Sequence, residues 1–411
     1  MSTSACNNEQ WAKRQLAVMP WGSSTCSKAA KYGPEEPNVI VRGKGCRVWD
    51  ADGREFIDFR NGLGPVTLGY AFPEVNKAMM EQMEHGSLYG HPHTLECEVA
   101  EMLTEVIPCA QKVRFLKTGG EAVAACIRLA RAYTNRDRII QVGYNGWLNS
   151  LAVGGLSLPG VASSAGPRGV PEAISRLHHG AVWGKLEQVE RYFEEYPQQI
   201  AAVVISAGYP DMELGKTYLP ALQELVHRNG ALLVFDEIVT GFRIAIGGVQ
   251  EYFKVTPDLA VFAKGIANGM PLSTYCGRAE VMDLLQEVIV SSTYGGEAVT
   301  LAAARACIEF YKNHGVIEHL WRVGEMMWSG ANKLFEKHKL PLRMKGFWPC
   351  ATITAQPEAP RELMPKFFRA AYTNRVSLYG TSYVNFSHKP ADVQEALERL
   401  NRACEQVAKQ G

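Results

Sequence analysis

This sequence carries no excess of charge of either sign. Lys and Arg total 43 against 42 Asp and Glu, a net charge of +1, which removes the basic footprint of a nucleic-acid or anionic-membrane binder. No apolar run approaches the roughly 20 residues a spanning helix needs. The opening, MSTSACNNEQWAKRQ, has no apolar core of a signal peptide, so a cytoplasmic protein is expected. Ten cysteines are scattered without a CxxC pair, and free thiols in a reducing compartment are the expected state. The pairs His91/His93 and His178/His179 have no acid or cysteine at metal-ligand spacing. They read as loop or surface histidines, and no metal is expected. There is no Walker A sequence and no GxGxxG, which weighs against ATP and dinucleotides.

What is present is the composition of a soluble globular protein, 46% hydrophobic and 21% charged over 411 residues. That length suits two domains, or one large domain with an appendage. Residues 1–38 read as an N-terminal arm with one short helix. Asp52-Gly53 between VWDA and EFIDF signals a hairpin. Helices are predicted from Phe72-Pro73 and from Thr94. From about residue 112 short apolar strands alternate with helices, which predicts an α/β fold with a mostly parallel sheet covered on both faces. The stretch 149–183, rich in Gly, Ser and Ala, predicts a long loop. After residue 300 two long helices precede an α+β tail, with strands expected at LRMKGF, ATITAQ and VNFSH. The expected division is residues 1–60 as arm and antiparallel element, 61–300 as the large domain, and 301–411 as the C-terminal domain.

The chemistry concentrates between Ala231 and Pro271. One apolar run, Leu233-Val234-Phe235, ends in Asp236, and a second, Leu259 to Ala263, ends in Lys264, 28 residues later. Both ionisable groups are expected at C-terminal strand ends, where α/β sheets hold ligands. A buried acid is costly unless partnered, and a desolvated lysine is an apt nucleophile. Together they match the needs of pyridoxal 5′-phosphate (PLP): a lysine for the Schiff base and an acid for the pyridine nitrogen. Each has a plainer reading: a helix cap or a partner of Arg243 for Asp236, and a snorkelling strand-end lysine for Lys264. Thr118-Gly119-Gly120-Glu121, between a strand and a helix, is either a phosphate cradle or an ordinary turn. Tyr144, just past a strand, can stack on a flat cofactor or pack as a loop aromatic.

Asp236-Glu237-Ile238-Val239-Thr240-Gly241-Phe242-Arg243, Pro257-Asp258-Leu259 and Ala263-Lys264-Gly265 together resemble the class III family of PLP aminotransferases, in particular its glutamate-1-semialdehyde aminomutase-like branch. The resemblance runs from about residue 36 to the end. It implies a type I PLP-transferase fold, with a smaller α+β domain from the N- and C-terminal segments, and a homodimer with shared sites. It implies Lys264 as the Schiff-base lysine, Asp236 on the ring nitrogen, Ile238 and Tyr144 on the two ring faces, and Gly119 and Gly120 at the phosphate. Thr293 would reach the neighbouring subunit's phosphate.

The departures from the family pattern bear on substrate. Asn145 stands where the family has histidine, Ser206-Ala207 replaces Glu-Pro, and Glu297-Ala298 replaces Asn-Pro. Glu297 is a candidate substrate contact or a helix cap. Arg60 is a candidate anion contact or a surface residue. Val384-Asn385-Phe386-Ser387-His388 stands where many members carry an arginine for the substrate α-carboxylate. The expected activity is transfer of an amino group from an amino acid such as glutamate to a keto or aldehyde acceptor, for example a sugar or other polar metabolite. A glutamate-1-semialdehyde aminomutase and a PLP-dependent epimerase are the alternatives within this chemistry. A non-catalytic PLP-binding protein is the alternative outside it.

Overall fold

The structure, a computed structural model, describes residues 7–148 and 169–409. It divides into two compact units, one of Met1–Phe72 with Glu318–Gly411 and one of Pro73–Ile317. The boundaries expected from sequence lie at 60 and 300.

In the first unit the arm forms one helix, Asn8–Val18, capped by Asn7. Strands β1 (Ile40–Lys44), β2 (Arg47–Asp50) and β3 (Glu55–Asp58) follow. The Asp52-Gly53 turn joins β2 to β3 as an antiparallel hairpin, with Trp49 opposite Glu55. Asp50 holds the turn by accepting from the backbone N–H groups of Asp52 and Arg54, at 3.0 and 2.8 Å.

The second unit is built on a seven-stranded sheet. Its strands are β4 (Lys112–Leu116), β5 (Arg138–Val142), β6 (His178–Ala181), β7 (Ile200–Ser206), β8 (Leu232–Asp236), β9 (Leu259–Phe262) and β10 (Ser273–Gly277). The spatial order is β4-β10-β9-β8-β7-β5-β6. Strand β10 runs antiparallel to both neighbours, and the pairs among β5 to β9 are parallel. Every residue of β8 and β9 is buried, as expected of strands covered on both faces. Helix Gly119–Thr134 lays Ala122, Cys126, Ile127 and Ala130 against Ala202, Val204, Val234 and Val261 to form the core of one layer. The parallel register sets Ser206 beside Asp236 and Asp236 beside Val261, so β7, β8 and β9 end along one edge.

The tail returns to the first unit as β11 (Leu342–Lys345), β12 (Cys350–Ala355), β13 (Val376–Ser377) and β14 (Thr381–Tyr383). Strand β13 adds in parallel to β3, and β11-β12-β14 form a separate antiparallel sheet.

The structure departs from three expectations. Of the predicted loop 149–183, residues 149–168 lie outside the described residues, but a short helix, Glu172–Ser175, and β6 occupy its end. His178 is therefore a buried strand residue, hydrogen-bonded through Nδ1 to Gln141 Oε1 at 3.2 Å, and not a surface histidine. VNFSH is a turn: Asn385 Oδ1 accepts from the N–H groups of Ser387 and His388, both at 3.1 Å. An asparagine that satisfies the backbone locally competes with strand pairing. Among the described residues there is no membrane-spanning helix and no cluster of metal-ligating side chains, and nine cysteines are free.

Candidate active site

Asp236 is the last residue of β8 and is 7% exposed. The chain leaves the strand immediately, so the backbone N–H of Ile238 folds back to donate to Asp236 Oδ1 at 3.1 Å. Asn145 Nδ2 donates to Oδ2 at 3.3 Å. Burial raises the Asp236 pKa to about 6, against the pull of those two bonds and of the nearby Lys264 ammonium. Asn145 is itself fully enclosed, and its Oδ1 has no partner among the described residues. Asn145, a candidate substrate contact, thus reaches the acid itself. Gly143 makes this possible: it turns the chain after β5 at φ +78°, where a Cβ would lie 2.4 Å from Ser206 Oγ.

Lys264 follows β9 by two residues and sits on the adjacent strand end. Its backbone is left-handed, φ +47°. That conformation is uncommon for a residue with a long side chain and is the kind of strain that collects at functional sites. The acid and the lysine therefore converge from neighbouring strands.

The Thr118 turn lies at the end of β4. Thr118 caps helix Gly119–Thr134, and Glu121 reaches back to the Thr118 N–H at 2.7 Å. The first N–H groups of a helix lack intrahelical partners and favour an anion. Gly119 lets the two elements approach closely, because a Cβ there would lie 2.3 Å from Ile238 Cδ1 and would have to displace the end of that side chain. The turn and Ile238 thus pack against each other. Tyr144, beyond β5, is 45% exposed.

The remaining candidates divide. Thr293 is exposed, in the segment before helix Ala298–Asn313. Glu297 caps that helix, accepting from the N–H groups of Val299 and Thr300 at 2.9 and 3.1 Å, and it pairs with Lys117 at 3.2 Å. Its carboxylate thus serves the start of the helix and Lys117 together. Arg60 lies in the other unit, donating to Glu36 Oε1 and Ser27 O, both at 2.7 Å, and to Tyr372 OH at 3.2 Å. These bonds make it an internal structural cation and not a surface group. Lys117 was missed from sequence. The only signal was its place directly before Thr118, and its partner is 180 residues away.

A buried acid, a strained lysine one strand away, a glycine turn packed on an aliphatic side chain and an orphaned buried acceptor fit PLP in charge and in shape. Known proteins agree with this chemistry. The chain matches the family model "Aminotransferase class-III" over residues 29–388. Among solved structures it is similar to the FumI protein of Sphingopyxis sp. MTA144 in a PLP-containing form, with TM-score 0.90 and 24% identity, covering 98% of this chain and 97% of that one. An omega-transaminase from Sphaerobacter thermophilus superposes with TM-score 0.88 at 24% identity, covering 100% and 99%. A glutamate-1-semialdehyde aminomutase from Pseudomonas aeruginosa PAO1 gives 0.83 at 19%, covering 97% and 94%. All three share the fold, the type I architecture of PLP-dependent transaminases.

Proposed function

Given that the chain belongs to the class-III aminotransferase family, we propose that it uses PLP to move an amino group from an amino acid, glutamate first, to a keto or aldehyde acceptor. The observation that carries this reading is the convergence of Asp236 and Lys264 from adjacent strand ends. When bound, PLP supplies the electron sink and the carbon that receives the amino group. Lys264 Nζ would provide the covalent anchor and would take and return the proton of the amino-bearing substrate carbon. The Asp236 carboxylate would hold the ring-nitrogen proton, and Asn145 would fix the direction of that carboxylate. Ile238 and Tyr144 would bound the ring, and Gly119 and Gly120 would present N–H groups to the phosphate. Thr293 would serve the phosphate of a second copy in a homodimer.

The acceptor we favour is a sugar or another polar carbonyl compound without an α-carboxylate. Arg60 is committed to Glu36 and Ser27. The Val384–His388 stretch holds no cation, and its Asn385 and His388 are fully buried.

Borohydride treatment of the PLP-treated protein tests the anchor: the label is expected on the peptide containing Lys264, and a label elsewhere sinks the assignment. With glutamate and an acceptor, one 2-oxoglutarate should appear per aminated product. Solvent deuterium entering the substrate without 2-oxoglutarate would replace transfer by epimerisation. Conversion of glutamate 1-semialdehyde without a second substrate would replace it by the aminomutase reaction.

A further inference from the structure

Lys117 stands directly before the Thr118–Gly120 turn, and Glu297 directly before helix Ala298–Asn313. Lys117 Nζ lies 3.2 Å from Glu297 Oε2 and donates to Thr300 Oγ1 at 2.7 Å. Each side chain of the pair is 16% exposed. Exposed ion pairs contribute little because water screens them, but a partly buried pair leaves a poorly solvated charge when one partner is removed. A second tie runs between the same two segments. Gly295 passes so close to β4 that a Cβ would lie 2.7 Å from the Phe115 carbonyl oxygen. The turn is also held from β10, whose Ser273 Oγ donates to the Thr118 carbonyl at 2.8 Å. The end of β4 is thus locked on both sides, and the ion pair is the only charged part of that lock among the described residues.

We infer that Lys117 and Glu297 are a positioning pair for the cofactor phosphate, setting the Thr118–Gly120 turn of one site and, through the start of helix Ala298–Asn313, the Thr293 segment that serves the neighbouring site. The inference rests on the proposed function. The physical reason is placement. Phosphate binding by backbone N–H groups depends on their direction, and the pair is the side-chain link between the strand that aims the turn and the helix that aims Thr293. An unpaired Glu297 would also bring a negative charge to the neighbourhood of an anion.

The test is the PLP dissociation constant of the apoprotein, read by absorbance titration, for wild type, K117M, E297S and the double variant. Serine still caps the helix, so E297S removes the ion pair and spares the cap. Each single variant is expected to raise the dissociation constant about 10-fold (~1.4 kcal/mol), and the double variant to fall within about threefold of the weaker single one. Each single variant leaves one poorly solvated charge and should lower the apoprotein thermal midpoint, whereas the double variant should return towards the wild-type midpoint and keep the weakened PLP binding. Dissociation constants within twofold of wild type, losses that multiply in the double variant, or a double variant that regains wild-type PLP binding together with its midpoint would each overturn the pair's role. If wild-type protein fails to take up PLP at Lys264, the proposed function falls as well; failure in the variants alone overturns only the pair.

Discussion

Asp236 and Glu237 are consecutive acids, both buried, with opposite surroundings. Asp236 has two hydrogen bonds, one of them long. Glu237 is fully enclosed and accepts from Val249 N at 2.8 Å, from Gln250 N at 3.1 Å and from the Thr240 hydroxyl. Burial raises both pKa values, to about 6 and about 7. The saturated acid ties the chain after β8 to the start of helix Val249–Phe253. The acid with few bonds faces the lysine and keeps capacity for a ligand. Adjacent residues of one chemistry are thus divided into a knot and a site by the number of donors that reach them.

Four experiments bear on that contrast. The largest effect is expected from Lys264→Ala, which should lower kcat by more than about 10³-fold with the far-UV spectrum and apoprotein stability unchanged; turnover near wild type would dissolve the site side of the comparison. Asp236→Ala should follow, with roughly 100-fold loss of kcat and little loss of apoprotein stability. A variant that lost stability and kept its rate would make Asp236 a second knot. Glu237→Ala should do the reverse, costing roughly 3–5 kcal/mol in urea unfolding because three donors lose their acceptor, while the folded fraction still binds PLP.

The smallest effect is one of pH. The folded-state pKa of Asp236 lies above its ordinary 3.8, so its contribution to apoprotein stability is full below that value and is lost as pH rises through about 6. Asp236→Asn should therefore gain on wild type between pH 4 and 7, by about 1–3 kcal/mol, and level off above. A difference that stays flat with pH would mean the acid is not buried as described. Comparison with this variant is needed because His178 and His388 act in the opposite sense. Burial lowers them from 6.5 to about 4 and about 3, so their contribution is present above 6.5 and is lost as pH falls.

Asp236 and Lys264 were legible in the sequence because an apolar run that ends in an ionisable residue has few explanations, and two such runs in one α/β pattern have fewer. The hairpin at Asp52-Gly53 and the cap at Glu297 were legible for the same local reasons. What escaped was non-local. Asn145 reaches Asp236 across an intervening strand, since β7 lies between β5 and β8. No periodicity carries that contact. HHGA does not read as a strand, and β6 forms at the sheet edge by pairing with β5 alone. Arg60 reads from sequence as an anion contact or a surface residue, and only the fold brings Glu36 and Tyr372 to it. VNFSH had the residues of a strand but an asparagine placed to fold its own backbone.

The contact of Gly119 with Ile238 has a consequence for how such a chain can vary. The end of the Ile238 side chain fills the volume that a side chain at 119 would need, so a larger residue at 119 must displace it. A library that randomises 119 alone should therefore favour glycine, and one that also shortens residue 238 should admit more alternatives there. On the other side of the pocket Gly143 and Ser206 are linked in the same way, a Cβ at 143 lying 2.4 Å from Ser206 Oγ, so variation is freest at the exposed Tyr144.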